Sequence, residues 1–284
     1  MPGPRAAPAA PSWQAAGVPY PLNTPLGRFG IETVEEGLDG CVATIPAAGL
    51  LNPLTGHPTV APLAMLVDHI GGLINHARRG PQEWTVSSEL SLEVAPGAAE
   101  AVASAASEPI RGIARPLGRK GQAALGLCEL SIGGEVLATA TVRSFYIVVP
   151  DSLALWTEEP GGSLPGTRLD QLMAVEVGET GGAGAVLVQR DDAVLNNLVG
   201  TVHGGVSSMG LELVGSAALN TDTAVEPYNT ASLRVNFLRP FHGGADAHYR
   251  AKSIHAGRSS GVAEAEAVGA DGRVALLARV TAYR

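Results

Sequence analysis

The sequence has few of the features that mark several common protein classes. Only two cysteines, Cys41 and Cys128, occur in 284 residues, and their spacing fits neither a disulfide framework nor a metal-binding motif. Lysine is limited to Lys120 and Lys252, and the chain has no basic run and a net charge of −8. Nucleic acids and anionic membrane surfaces are therefore unfavourable partners.

Long apolar segments are also missing. No stretch reaches the roughly 18 residues that a membrane span requires, and the N-terminus lacks the continuous apolar region of a secretory signal. With so few cysteines, we expect a cytoplasmic location. The excess of Arg, Ala and Gly over Lys indicates a GC-rich bacterial source. Apolar residues make up 45% of the chain and charged residues 16%, which predicts a folded core of one large or two ordinary domains.

Composition divides the chain into four parts. Residues 1–25 are rich in Pro and Ala, which predicts a flexible arm rather than a domain. Residues 150–170 combine prolines and glycines and read as a linker. Two segments of similar length remain, 26–149 and 171–284.

These two segments resemble each other. With an offset of 144 residues, 31–96 aligns with 175–240 without a gap and gives thirteen identities in 66 positions. In the same alignment Asp68 falls on Glu212, so a carboxylate matches a carboxylate. Near the end, 133–145 aligns with 271–283 at an offset of 138. The sequence therefore predicts an internal duplication.

Each copy has the same order of predicted elements: two short strands, a loop, a helix of about four turns and roughly three further strands. The helices are expected at 62–78 and 205–220, and the apolar positions of the first are too dense for a surface helix. A buried helix wrapped by an antiparallel sheet is the hotdog arrangement. We therefore predict an α+β protein with two hotdog domains in tandem, each with a long central helix.

The segment NLVGTVHGGVSSMGLELVGSAA, residues 197–218, carries a family resemblance. Asn197 is followed by Gly after three residues and by HGG (203–205) after three more, and Glu212 comes nine residues after the histidine. This spacing resembles the core motif of the PaaI-type hotdog thioesterases, whose next strand opens near a hydroxyl residue, here Thr230. The resemblance implies hydrolysis of acyl-CoA thioesters, with these residues in the site.

The chemistry of thioester hydrolysis fits such a motif. The reaction needs a site for the developing oxyanion and a carboxylate that acts as base or nucleophile. Unpaired N–H groups at a helix start provide the first, which makes the Gly204 N–H the expected donor and gives His203 an orienting role. A carboxylate presented in an apolar setting provides the second.

One helix cannot supply both groups to one substrate. Gly204 and Glu212 lie eight residues apart, which is about 12 Å along a helix. The acid must therefore come from another helix that lies antiparallel. The resemblance implies that two hotdogs pair and share each site, as in the PaaI-type family, and here the partner copy lies in the same chain. The acid opposite Gly204 would then be Asp68. Each helix would then serve two half-sites, with its start in one and its carboxylate in the other.

The two expected sites differ. In the second site, which contains Glu212, the repeat places Thr59, Val60 and Ala61 at the positions of HGG, so a valine side chain crowds the approach. In the first site, the position aligned with Thr230 is Val86, so Asp68 lacks a hydroxyl partner in this alignment. Thr85 or Ser87 could supply the hydroxyl only if the strand is shifted. We therefore expect unequal activity at the two sites.

Two basic turns are candidates for binding the phosphates of coenzyme A: Arg258 and Ser259 in one, and Arg119 and Lys120 in the other. Plain solvated turns explain them equally well. No metal-binding spacing occurs in the sequence, and we expect no cofactor, because coenzyme A is part of the substrate.

Other interpretations stay open at this stage. The helix carboxylates are also compatible with a structural role, and His203 with a turn residue. A non-catalytic acyl-CoA binding or scaffold protein is one alternative class. A hotdog dehydratase or hydratase is another, although His69 is the only suitably placed histidine on the first helix. For the thioesterase we expect a small-molecule acyl-CoA substrate and a homo-oligomer of double-hotdog chains.

Overall fold

The computed structural model describes residues 19–105, 108–150, 153, 163–178, 184–221 and 226–284. Twelve strands in these ranges form one antiparallel sheet. They are β1 (Glu32–Glu36), β2 (Cys41–Ile45), β3 (Glu83–Val94), β4 (Ile110–Leu117), β5 (Ala123–Ile132), β6 (Glu135–Val148), β7 (Val175–Val177), β8 (Val186–Gln189), β9 (Asn229–Phe237), β10 (His248–Ala256), β11 (Ser260–Val268) and β12 (Val274–Tyr283). The helices are α1 (Pro25–Arg28), α2 (Ala61–Ala77), α3 (Ala98–Ser104), α4 (Leu169–Met173) and α5 (Gly204–Leu219). Most of the predicted arm (1–18) and linker (151–152 and 154–162) lies outside the described residues.

The sheet has the internal symmetry that the duplication predicts. Its order is β1-β2-β4-β5-β6-β3 in one half and, read from the other edge, β7-β8-β10-β11-β12-β9 in the second. Each strand thus has a counterpart six strands later, and each half wraps one long buried helix. The predicted α+β class with two tandem hotdog units is confirmed.

One detail of the strand prediction was wrong. Each half has four strands after its central helix, because the segments between the first and the last of them form a hairpin of two strands, β4–β5 and β10–β11. The turns of these two hairpins coincide with the two basic turns noted above, 117–121 and 256–261, which the expected number of strands did not include. The short helix α3, which follows β3, was also not predicted.

The central helices α2 and α5 cross in antiparallel contact. The second residue of α5, Gly205, lies against Met65 of α2, and a Cβ atom built on it would come within 2.9 Å of the Met65 Cα. Further along α5, the carbonyl of Leu213 accepts a hydrogen bond from Asn52 Nδ2 at 2.9 Å, in the loop before α2. Gly205 is therefore required for the close approach of the two helix backbones.

The two halves form one continuous structure. Strand β3 pairs with β9 over five residue pairs, from Glu89↔Asn236 to Glu93↔Ser232. On another side, Arg28 of the first half forms an ion pair with Asp192 of the second, with Nη1 and Oδ2 3.0 Å apart. No helix of the described ranges is long and apolar enough to cross a membrane.

Candidate active site

The Asp68 carboxylate lies where the middle of α2 meets the start of α5. Only 7% of Asp68 is exposed. Its Oδ1 accepts a hydrogen bond from Ser87 Oγ of β3 at 3.0 Å, and its Oδ2 lies 3.4 Å from His203 Nδ1. The predicted meeting of Asp68 with the HGG segment is thus present in the structure.

His203 caps the start of α5. Its Nδ1 accepts a hydrogen bond from the Gly205 N–H at 3.1 Å, so this nitrogen carries no proton and the neutral ring has its proton on Nε2. Burial lowers the pKa of His203, against the opposing effect of Asp68, which agrees with a neutral ring. The contact with Asp68 is therefore no hydrogen bond, and His203 acts here by fixing the helix start.

Gly204 brings a free N–H next to the acid. It is the first residue of α5, and within the described ranges its N–H meets no hydrogen-bond acceptor. A Cβ atom at this position would lie 2.7 Å from Asp68 Oδ2, so any side chain would displace the carboxylate. The geometry places an unpaired helix-start donor, with the favourable end of the helix dipole, beside a buried acid.

The hydroxyl that orients Asp68 comes from Ser87, one of the two residues that the sequence allowed only with a shift of the strand. A bulge interrupts β3 between Ser87 and Glu89, and β9 has the matching irregularity between Thr230 and Ser232. If the two strands are aligned at their bulges, the equivalent residues are 143 positions apart, whereas Asp68 and Glu212 in the helices are 144 positions apart. Ser87, and not Val86, is therefore the counterpart of Thr230.

We expect Ser87→Ala to lower kcat about tenfold in a thioesterase assay. A hydrogen bond to a charged group contributes roughly 1.5–3 kcal/mol, and its loss frees the carboxylate to leave its reactive orientation. Ser88→Ala is the matched control, because the Ser88 hydroxyl donates to the Arg143 carbonyl instead. Equal activity of both variants would mean that Ser87 does not orient the acid.

Asp68 and Gly204 open into a main cavity of about 580 Å³ that both halves line. The first half contributes one face of α2 and the start of β3, and the second contributes the start of α5, the loop 197–202 and the residues after β9. Asn197 shapes that loop, since its Oδ1 accepts from the N–H groups of Val199 and Thr201, both at 3.1 Å. Asn197 thus forms the cavity wall.

Two histidines of α2 also line the main cavity. His69 Nε2 lies 3.0 Å from Thr33 Oγ1, and its ring meets Tyr20 edge-on. His76 Nδ1 lies 2.7 Å from the hydroxyl of Thr85. Burial lowers the pKa of each histidine to about 3, so both rings are neutral at physiological pH.

Glu212 lies in a different environment, away from the main cavity. It is 1% exposed and accepts hydrogen bonds from the hydroxyls of Thr59 and Thr230, both at 2.7 Å. Burial raises the pKa of Glu212, against the opposing effect of these bonds. The adjacent cavity measures only about 160 Å³, and the buried Val60 stands at the position equivalent to Gly204. Glu212 therefore links α5 to the loop before α2 and to β9.

None of the four residues predicted to bind phosphates lines either cavity. Lys120 forms an ion pair with Glu83, and Arg119 occupies the same β4–β5 turn. Arg258 and Ser259 lie in the β10–β11 turn, where their carbonyls accept hydrogen bonds from Arg284.

A different cation, which the sequence reasoning missed, lies at the rim of the main cavity. Arg239 follows β9, is exposed, and its guanidinium has no partner in the part of the chain that the structure describes. An arginine next to proline after a strand carries no distinctive sequence signal, so only the fold reveals its position. Within the same ranges, no group of three or more His, Cys, Asp or Glu side chains is arranged to hold a metal ion.

Comparison with solved structures identifies the fold. A tesB protein from Mycobacterium avium subspecies paratuberculosis matches with a TM-score of 0.61 and 14% identity, over 91% of this chain and 97% of that one. The acyl-CoA thioesterase II TesB2 of Mycobacterium marinum matches with a TM-score of 0.59 and 12% identity, over 90% and 95%. A hot dog fold protein from Alicyclobacillus acidocaldarius gives 0.56 and 16%, over 88% and 94%.

Comparison of sequences is more restricted. A search of curated proteins gave no match. The family model of the Thioesterase superfamily matches residues 199–276, which contain the HGG segment, all of α5 and the strands that follow. The chain thus has the hotdog fold in two copies, and the match to the Thioesterase superfamily model lies within the second copy.

Proposed function

We propose that this chain is an acyl-CoA thioesterase of the PaaI-like type that works at the Asp68–Gly204 site. One observation carries this proposal: a buried carboxylate and an unpaired helix-start N–H lie side by side in a cavity large enough for a substrate. The Thioesterase superfamily match over 199–276 supports it.

The proposed reaction uses both groups at one carbonyl. Asp68 takes a proton from a water molecule, whose oxygen forms a bond to the thioester carbon, or attacks that carbon itself as nucleophile. The negative charge that develops on the carbonyl oxygen is stabilised by the Gly204 N–H and the dipole of α5. In the first route the C–S bond then breaks, the acid is released, and Asp68 passes the proton that it took from water to the leaving sulfur, so that coenzyme A leaves as the thiol. In the second route breakage of the C–S bond leaves the acyl group on Asp68 as a mixed anhydride. Water then hydrolyses this anhydride, which releases the acid, restores the carboxylate and supplies the proton for the thiol. No cofactor takes part.

A panel of acyl-CoA thioesters, followed with a chromogenic thiol reagent, tests this function. We expect one free coenzyme A thiol for each acid produced. The protein contributes little background, because Cys41 and Cys128 are buried free thiols and burial raises the pKa of Cys41 to about 12. Binding of acyl-CoA without thiol release would favour the non-catalytic scaffold. Addition of water to an enoyl-CoA would favour the hydratase. The hydrogen bond between His69 and Thr33 argues against that alternative, because it occupies a ring nitrogen of the histidine that a hydratase would need.

Arg239 is the proposed contact for the phosphates of coenzyme A. We expect Arg239→Ala to raise KM for an acyl-CoA about tenfold, since one charge-assisted hydrogen bond is lost. The corresponding N-acetylcysteamine thioester lacks phosphates, so its KM should not change. Arg234→Ala, on the outer face of the sheet with Glu93 as partner, serves as control. An equal effect on both thioesters would exclude a phosphate contact.

The sequence-based phosphate candidates can be compared in the same assay. Arg119→Ala and Arg258→Ala should raise KM only for the CoA thioester if the β4–β5 or β10–β11 turn reaches the bound nucleotide.

The cytoplasmic location and the homo-oligomer predicted from the sequence remain predictions.

A further inference from the structure

One arm of the main cavity follows α2 away from the proposed site. Asp68, Gly72 and His76 are spaced by four residues, so they lie along one face of the helix. All three line the cavity. A Cβ atom at Gly72 would meet no atom within 4 Å, which shows that the arm is open beside the helix. From Asp68 to His76 the helix rises about 12 Å, which is long enough for a medium-length acyl chain.

The far end of this arm is polar. His76 Nδ1 is engaged by the Thr85 hydroxyl at 2.7 Å, and the Trp84 ring packs edge-on against the imidazole at 4.6 Å. The Nε2 atom of His76 has no hydrogen-bond partner in the described ranges. Beyond His76 the lining continues with Glu36 and Arg79. An apolar methyl group at this end would leave the imidazole nitrogen unpaired and would lie near two charges.

We propose that the acyl group lies along this arm and that its preferred form carries a hydroxyl group at the far end, hydrogen-bonded to His76 Nε2. This specificity rests on the proposed thioesterase function. A hydroxyl suits the site in either tautomer of the ring, because it both donates and accepts. A carboxylate only accepts, and it would also meet the negative charge of Glu36.

The neutrality of the imidazole supports this choice of ligand. Burial, and the nearby Arg79 charge, lower the pKa of His76 to about 3, so the ring presents no charge to a substrate at neutral pH. Thr85 on one side and Trp84 on the other fix the orientation of the ring. His76 and Thr85 are thus specificity-determining residues, and neither takes part in the reaction at Asp68.

The test compares kcat/KM for matched pairs of CoA thioesters. For the wild type we expect ω-hydroxyoctanoyl-CoA to exceed octanoyl-CoA about tenfold. The pair 4-hydroxybutyryl-CoA and butyryl-CoA should show no such preference, because the shorter chain ends before His76. An equal or lower value for ω-hydroxyoctanoyl-CoA would overturn the proposal. So would a preference for the ω-carboxy analogue, which would assign the end of the arm to Arg79.

Variants then locate the effect. His76→Leu should abolish the preference between the two C8 substrates, and Thr85→Val should reduce it, while His255→Leu, at an exposed histidine of β10, should keep it. A thermal melt checks that each variant is folded. If His76→Leu does not fold, the reduced preference expected for Thr85→Val tests the assignment instead. A preference that survives in folded His76→Leu would refute the assignment and leave the thioesterase intact. Failure to hydrolyse any acyl-CoA would instead refute the proposed function.

Discussion

Asp68→Asn should lower kcat for acyl-CoA hydrolysis by at least about 100-fold, with the protein still folded. The amide cannot take a proton or attack the carbonyl, and loss of a positioned base typically removes 10²–10⁴-fold of rate. The side chain keeps its size, and its amide oxygen still accepts the hydrogen bond from Ser87 Oγ. Thiol release under saturating substrate, with a thermal melt for folding, measures the effect.

The matched control for this change is Glu212→Gln. Glu212 is the carboxylate equivalent to Asp68, but two threonine hydroxyls occupy it and Val60 stands where the first site has Gly204. A glutamine is accommodated because one of the hydroxyls rotates to accept from the new amide. We expect near-normal activity. An inactive Glu212→Gln beside an active Asp68→Asn would mean that catalysis occurs at the other end of the helix pair.

Gly204→Ala should also lower kcat by about 100-fold or more, while the melting temperature stays close to that of the wild type. Gly204 is not among the residues of positive φ, so its backbone accepts alanine. The new methyl group, however, would lie 2.7 Å from Asp68 Oδ2 and must push the carboxylate aside. A displacement of about 1 Å in a reacting group costs about 100-fold in rate.

Gly205→Ala provides the contrast one residue later. Its Cβ atom would come within 2.9 Å of the Met65 Cα, where backbone cannot yield as a side chain does, so we expect a loss of about 1–3 kcal/mol in the free energy of unfolding. Urea unfolding of the two variants separates these effects. If Gly204→Ala were destabilised as much as Gly205→Ala, its loss of activity would carry no information about the site.

A double-mutant cycle separates the two roles of Gly204. If alanine acts only by moving the acid, it should have no further effect in the Asp68→Asn background. If it also blocks the approach of the thioester to the N–H, the losses should multiply. A simple Gly204→Val exchange, which copies Val60, does not make this distinction, because its Cβ atom meets the carboxylate in the same way.

The sequence was sufficient to predict the duplication, the two central helices and the meeting of Asp68 with Gly204. The helices follow from local periodicity, whereas the duplication follows from the alignment of the two copies at an offset of 144 residues. The pairing of Asp68 with Gly204 follows from that repeat, from helix length and from the resemblance to a family whose paired hotdogs share each site. The sequence left Thr85 and Ser87 open as hydroxyl partners of Asp68 and could not decide between them. The choice depends on a bulge that shifts the strand by one residue, and bulges depend on pairing with a neighbouring strand. Arg239 was missed because its place at the cavity rim depends on how the two halves join.

Both halves of the Asp68–Gly204 site belong to one polypeptide, and the pairing of β3 with β9 holds them together. If two separate identical chains shared such a site, the dimer would dissociate on dilution and the site would be lost. Here the second half is part of the same chain, so its effective concentration is fixed and high. Activity per chain should therefore be independent of protein concentration. Identical chains also cannot change one half-site without changing its twin. In a fused pair that constraint is removed, so the second copy can keep the open glycine turn while the first replaces it with Val60 and a closed, threonine-bound acid.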